Sequence, residues 1–191
     1  TISASSGIAL YPMDNVDLDT LLRHADQAMY QAKITGRNTS RMFNPELNQQ
    51  VIQKHHVVQR LREALLNEEF VLHYQPEINM RTGEIIAVEA LIRWHHPERG
   101  LLFPGDFLSD MEGSELEFEL GLWVINSALQ QLQYWQQAGL DIVVSVNIAA
   151  NHLHANNFIQ SLQQILNRYH DIRPASLQLE ILESSALGDV P

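Results

Sequence analysis

Three oxygen-bearing side chains stand late in three apolar segments of this chain. Glu89 follows Ile85–Val88, Asn147 follows Val143–Val146, and Glu180 lies in Leu177–Leu182, with Glu183 three positions on. Carboxylate and amide oxygens are hard donors, suited to Mg²⁺ or Mn²⁺ rather than zinc. Acids and amides at the carboxyl ends of successive strands are where the ligands of strand–helix barrels collect. Taken singly, Asn147 reads as a strand-end turn residue and Glu180 as an exposed edge acid; three such residues in succession argue for a site. In an extended strand Glu89, Leu91 and Arg93 face the same way. The Glu89 and Arg93 heads then lie about 13 Å apart, at ~3.3 Å per residue, too far for an ion pair but suited to gripping two parts of one ligand. Glu180 and Glu183, three apart, face opposite sides for as long as the strand lasts.

The elements that must position these residues follow from periodicity. Phe70–Gln75 alternates apolar and polar residues, residues 79–83 form a turn, and Glu84–Arg93 returns as a second strand, which predicts an antiparallel hairpin. Leu120, Val124, Ala128, Leu132 and Trp135 predict a helix over 116–138, stopped at Gly139. A strand over 142–147, a helix over 156–169 and a strand over 177–181 complete the order, and this alternation implies parallel pairing after the hairpin. Upstream, Asn44-Pro45 opens a helix with Leu47, Val51, Val58, Leu61 and Leu65 on one stripe, a linker over residues 42–69. His55 and His56 are adjacent, so on a helix they face different ways and read as solvated. His95 and His96, after the second strand, are likewise expected to be structural.

Before the linker, residues 1–41 give a short strand within Ser3–Leu10 and a helix carrying Val16, Leu18, Leu21, Leu22, Ala25, Ala28, Met29 and Ala32. Asp14 or Asp17 caps that helix and Gly36 ends it. Lys33 and Arg37 are four apart, on one side of its last turn. On spacing alone they complement the carbonyl end of the helix dipole.

Composition bounds the function. The chain has 191 residues, 45% of them hydrophobic and 18% charged, with a formal net charge of -11. Such an acidic chain repels polyphosphate backbones, which argues against a nucleic-acid partner while leaving room for a small phosphorylated ligand in a local pocket. With no cysteine, disulfides and thiolate zinc sites are excluded. No run approaches the ~20 apolar residues of a membrane span, and the expected location is cytoplasmic. The chain opens at Thr1 in what reads as mid-strand and stops just after a strand-like run, so a piece of a longer protein is expected.

Motifs sharpen this reading. Glu89-Ala90-Leu91-Ile92-Arg93-Trp94, continued by His96-Pro97, Gly100 and Pro104-Gly105-Asp106-Phe107, resembles the signature of the EAL family, phosphodiesterases that hydrolyse cyclic di-GMP. Ser6–Pro12, Ala25–Lys33 and Gly36-Arg37-Asn38 resemble the end of a GGDEF domain, the diguanylate cyclase module. The resemblances imply an α/β chain in three parts. Residues 1–41 are the terminal strand and helix of a GGDEF domain, 42–69 a linker helix, and 70–191 the N-terminal half of an EAL domain. That half is a partial (β/α)8 TIM-like barrel whose first strand is antiparallel. They imply metal ligation by Glu89, Asn147 and Glu180, a loop-holding role near the metals for Glu183, and ligand contacts by Gln75, Leu91 and Arg93. Lys33 and Arg37 match a pair on nucleotide phosphates.

The implied reaction is in-line hydrolysis of cyclic di-GMP to the linear dinucleotide, assisted by two Mg²⁺ or Mn²⁺ ions. The signature that names the GGDEF family is absent, so residues 1–41 are not expected to synthesise the messenger. Ala149 replaces a usual serine, Asn151 and His152 replace common Arg and Gln, and Asp110–Glu115 replaces a more apolar segment. The family's remaining acids and lysine correspond to positions past Pro191. The chain alone is therefore expected to be inactive, and a half barrel to self-associate or be only partly ordered. The parent is expected to form a homodimer or to self-associate through its EAL domain, with any membrane anchorage confined to an N-terminal sensor region. The alternative to an enzyme is a receptor that binds cyclic di-GMP without turnover and signals through the linker helix.

Overall fold

The computed structural model describes residues 3–11, 16–34, 36–155 and 157–182. The chain divides into two units, residues 1–59 and 60–191. In the first, β1 (Ser6–Ile8) pairs in parallel with β2 (Ser40–Met42) beside α1 (Leu18–Ile34). Asp17 caps α1: its carboxylate accepts the Thr20 N–H at 2.9 Å and the Thr20 hydroxyl at 2.8 Å. Those bonds hold the Asp17 carboxyl below its ordinary value. Asp14, the other candidate cap, lies outside the described residues. Ala28, Gln31 and Ala32 are buried, whereas Leu18 and Leu22 are 71% and 59% exposed, so the packed stripe is narrower than periodicity predicts. Gly7 lies so close to α1 that a Cβ there would overlap Ala25 O and Met29 N.

The reading of Lys33 and Arg37 as neighbours on one helical turn needs correction. The helix ends at Ile34, Gly36 takes φ 121°, and Arg37 itself is left-handed at φ 58°. The Arg37 N–H closes the terminus on Ala32 O at 3.0 Å. Arg37 is thus part of the helix stop, not of its face. Strand β2 escaped the sequence because three residues carry no readable alternation.

α2 (Pro45–Leu66) begins on Pro45 as expected, and its last turns, from Arg60, belong to the second unit. Leu61 and Ala64 are fully buried there. Glu69 then fastens the chain. Its carboxylate accepts Arg60 Nη2 at 2.6 Å and the Trp94 indole N–H at 2.8 Å, and its carbonyl accepts the His95 N–H at 2.8 Å. Burial pushes the Glu69 carboxyl up, but the bonds from Arg60 and Trp94 and the Arg60 charge outweigh it and leave it below its ordinary value.

β3 (Phe70–Ile78) and β4 (Ile85–His96) form the expected antiparallel hairpin, turned where Asn79 Oδ1 accepts the Arg81 N–H at 2.9 Å. β6 (Val143–Ala149) pairs in parallel with β4 through 87–90, and β7 (Leu177–Leu182) pairs in parallel with β6, giving the order β3-β4-β6-β7. On the edge away from β3, β4 also pairs with β5 (Gly100–Leu102), through Trp94, His95 and His96. A 3-10 turn at Pro104–Asp106 and α3 (Leu108–Met111) lead to α4 (Glu115–Gln137), which ends at Gly139 with φ 81°. α5 (Ala150–His154) directly follows β6, and α6 (Phe158–Leu166) leads through two 3-10 turns to β7.

One face of the sheet is the core. Val88, Ala90, Ile92 and Trp94 are buried, as are Val144, Val146 and Ile148 and the α4 residues Leu120, Val124, Ala128 and Leu132. Phe70 lies 5.7 Å from Trp94, 5.5 Å from Phe107 and 6.1 Å from Trp123, ring centre to ring centre, so the aromatic cluster locks the hairpin at this end. Three mutually parallel strands, β4, β6 and β7, with β3 and β5 antiparallel to β4 and helices packed on one face, form part of a TIM-like barrel.

Three expectations about strand ends are corrected. β4 runs on to His96, so Glu89 is fifth of its 12 residues rather than close to its end, β6 continues two residues past Asn147 to Ala149, and β7 two residues past Glu180 to Leu182. Glu89 nevertheless lies near the carboxyl limit of the parallel β4–β6 ladder, which stops at Ala90.

Where α4 crosses α5, Gly121 leaves no room: a Cβ would overlap His152 Cε1 and come within 2.7 Å of Nδ1. Gly121→Ala is expected to destabilise the second unit by about 1–3 kcal/mol in denaturant unfolding, as overpacking does. Gly105→Ala, where a Cβ meets nothing within 4 Å, is expected to change little.

Candidate active site

The face of the sheet opposite the core carries the candidate residues. Gln75 is registered opposite Glu89 across the hairpin, Glu89 opposite Ser145 on β6, and Asn147 opposite Glu180 on β7. Strand alternation therefore puts Gln75, Glu89, Leu91, Arg93, Ser145, Asn147 and Glu180 on one face. The stagger between strands makes Asn147 the diagonal neighbour of Glu89, and its Nδ2 donates to Glu89 Oε1 at 2.6 Å. Glu89 and Asn147 are half-buried, and Glu180 and Gln75 are exposed.

Arg93 stands further along β4, past the last residue paired with β6 and before the first paired with β5. Its Nη1 donates to Ile92 O at 2.8 Å, and its guanidinium lies 4.8 Å from the centre of the Phe103 ring. Glu183 lies outside the described residues. Lys33 and Arg37 belong to the first unit, where both are exposed.

Sequence reasoning missed Ser145. Its hydroxyl is fully buried with no hydrogen-bond partner among the described residues, two positions before Asn147 on the same strand face. The signal was a small polar residue within the apolar run Val143–Val146, at the parity of Asn147.

Among the described residues no group of three or more His, Cys, Asp or Glu could hold a metal ion. The donors present are two carboxylates and an amide. Glu89 and Asn147 already converge, Glu180 flanks Asn147, and all three offer hard oxygens, a set that fits a divalent cation of the magnesium type. The histidines do not join them. His96 Nδ1 accepts the Glu98 and Arg99 N–H groups at 3.1 and 3.2 Å, fixing a turn. Tyr74, on the core face against Trp135, has its hydroxyl pushed up to about 12 by burial and stays neutral.

The segment after Asn147 is tied down from α4. Glu117 Oε2 accepts Asn151 Nδ2 at 2.8 Å and the Gly113 N–H at 2.9 Å, joining α5 to the turn before α4. His152 is buried against Phe118 and Phe158, its Nε2 without a partner among the described residues. Burial lowers its pKa, and the Glu117 charge and a hydrogen bond to the Glu117 backbone only partly oppose that.

A barrel-type sheet with oxygen donors gathered on its inner face defines the class. The chain belongs to the EAL domain family, which matches residues 58–190, and residues 1–39 match the diguanylate cyclase GGDEF domain. It is 42% identical over 182 residues to the cyclic di-GMP phosphodiesterase PdeR of Escherichia coli, covering 95% of this chain and 27% of that protein. It is 40% identical over 189 residues to the bifunctional diguanylate cyclase/cyclic di-GMP phosphodiesterase MucR of Pseudomonas aeruginosa, covering 98% of this chain and 27% of that protein. The chain thus spans about a quarter of the length of these relatives. Among solved structures, the PaMucR phosphodiesterase in complex with c-di-GMP superposes with a TM-score of 0.64 at 37% identity, over 70% of this chain and 54% of that one. The Xanthomonas citri FimX EAL domain in complex with c-diGMP superposes with a TM-score of 0.61 at 28% identity, over 72% of this chain and 53% of that one. Membership of the EAL family implies dependence on a divalent cation. No helix among the described residues is long and apolar enough to cross a membrane.

The buried histidine sets a pH dependence. His152 binds a proton less readily folded than unfolded, so its contribution to stability is full above the unfolded value of about 6.5 and is lost as pH falls through the folded value. The thermal midpoint is expected to drop between pH 7 and pH 5, and His152→Gln to flatten that drop.

Proposed function

We propose that the protein containing this chain hydrolyses cyclic di-GMP to the linear dinucleotide. The observation that carries the reading is the 2.6 Å contact between Asn147 and Glu89, which brings an amide and a carboxylate from two parallel strands to one point, beside Glu180. Glu89, Asn147 and Glu180 are the residues that would hold Mg²⁺ or Mn²⁺. When bound, such ions supply charge neutralisation at the phosphate and an acidified water for in-line attack.

The chain's own residues position the ligand. Arg93 binds a phosphate oxygen of the ligand, as a planar guanidinium does well. Gln75 and Leu91 line the same face and fix the nucleotide between Arg93 and the acid cluster. Ser145, buried beneath, keeps the floor small enough for Glu89 and Asn147 to meet. Glu183 holds a loop close to the acids.

Residues 1–41, the end of a GGDEF domain, keep Lys33 and Arg37 for nucleotide phosphates, and α2 (Pro45–Leu66), within the linker over 42–69, leads from them into the EAL domain, whose match begins at residue 58. The working protein is a cytoplasmic homodimer through its EAL domains.

Full-length protein with Mg²⁺ or Mn²⁺ is expected to convert cyclic di-GMP to pGpG, and chelation to abolish turnover. Glu89→Ala and Asn147→Ala are each expected to lower kcat by about a hundredfold or more, as read by chromatography of the nucleotides. Tight binding by the wild type without turnover would make the protein a receptor instead.

A further inference from the structure

The loop after β5 presents one aromatic side chain that the acid cluster does not explain. Phe103 lies between Leu102 and the 3-10 turn at Pro104–Asp106, in extended backbone at φ -96° and ψ 161°. Its N–H donates to Asp106 Oδ2 at 2.8 Å, and its carbonyl accepts the Asp106 N–H at 2.9 Å, so the residue is held at both its amide and its carbonyl. Leu102 and Phe107, on either side of this turn, are 7% and 1% exposed and anchor it in the core, while Phe103 is 54% exposed.

A single exposed aromatic needs no explanation by itself. This one is fixed by its backbone, and the guanidinium of Arg93 lies 4.8 Å from its ring centre. Arg93 shares its strand face with Glu89, about 13 Å further along the strand at ~3.3 Å per residue. A ligand with a phosphate near Glu89 that also reaches Arg93 therefore arrives beside the Phe103 ring.

We infer that Phe103 is a substrate-binding residue that stacks on a purine base of the ligand, with the half-exposed ring on its self-closed loop set beside Arg93. The inference rests on the proposed cyclic di-GMP reading and adds to it the group that receives a base. A planar ring on a braced loop offers stacking area at little ordering cost, and an adjacent guanidinium extends the same platform. Phosphate recognition by Arg93 and base recognition by Phe103 then act on neighbouring parts of one nucleotide.

The test uses full-length protein, with kcat and KM for cyclic di-GMP measured in Mg²⁺. Phe103→Leu keeps an apolar side chain and removes the ring. It is expected to raise KM roughly tenfold with kcat within about twofold, while Phe103→Tyr stays near the wild type. If Phe103 served only to hold Arg93, adding Phe103→Leu to Arg93→Ala would cost nothing more; stacking predicts a further loss of similar size in the double variant. An unchanged KM in Phe103→Leu, or no added loss in the double variant, would overturn the inference and leave the proposed activity standing. A wild-type protein that neither binds nor hydrolyses cyclic di-GMP would overturn both.

Discussion

The hydrogen bond from Asn147 to Glu89 depends on one quantity, the stagger between β4 and β6. Glu89 is registered with Ser145, which leaves Asn147 as its diagonal neighbour and within 2.6 Å. A slip of one residue would carry Glu89 to the core face among Val88, Ala90 and Ile92, an unpaired carboxylate in an apolar layer. The register that buries the core is therefore the same one that assembles the site. The approach of Asn147 to Glu89 and the burial of the core share a cause here.

What holds that register lies behind and above the sheet. Val144, Val146 and Ile148 are fully or almost fully buried, so β6 cannot turn over without exposing them. Beyond the parallel ladder, β4 is braced twice: by β5 through residues 94–96, and by Glu69, which grips the Trp94 indole and the His95 amide. Trp94 joins both braces to the aromatic cluster of Phe70, Phe107 and Trp123. Arg93 is carried on the stretch between the ladder and these braces, so its position follows from structure that contains none of the acids.

Parity along a strand was readable, because alternation is a property of the strand alone: Glu89, Leu91 and Arg93 do share a face, and the hairpin and parallel order follow from the spacing of apolar runs. Strand limits were less readable. His95 and His96 read as lying past the end of β4, yet the strand runs on through them because Gly100–Leu102 pairs with them, and a three-residue strand carries no pattern of its own. The stagger that joins Asn147 to Glu89 was invisible for the same reason, since it belongs to a pair of strands. Ser145 was passed over as one more residue in an apolar run, though its parity with Asn147 was on view. Arg37 was misplaced because the turn at Gly36 takes it off the helix face. The roles assigned to Gln75, Leu91 and Glu183 came from family resemblance; the geometry adds that Gln75 and Leu91 share the acids' face, and Glu183 lies outside the described residues.

On the proposed function, Glu89, Asn147 and Glu180 form one cation-binding group set by the strand stagger. A Mn²⁺ titration of the full-length protein, read by paramagnetic broadening of assigned resonances, addresses it directly. Broadening is expected to centre on the backbone amides of Glu89, Asn147 and Glu180 and on the Asn147 side-chain amide. Mn²⁺ affinity is expected to be at least about tenfold weaker in Asn147→Ala. Broadening centred elsewhere, or Mn²⁺ affinity unchanged in both Glu89→Ala and Asn147→Ala, would contradict it.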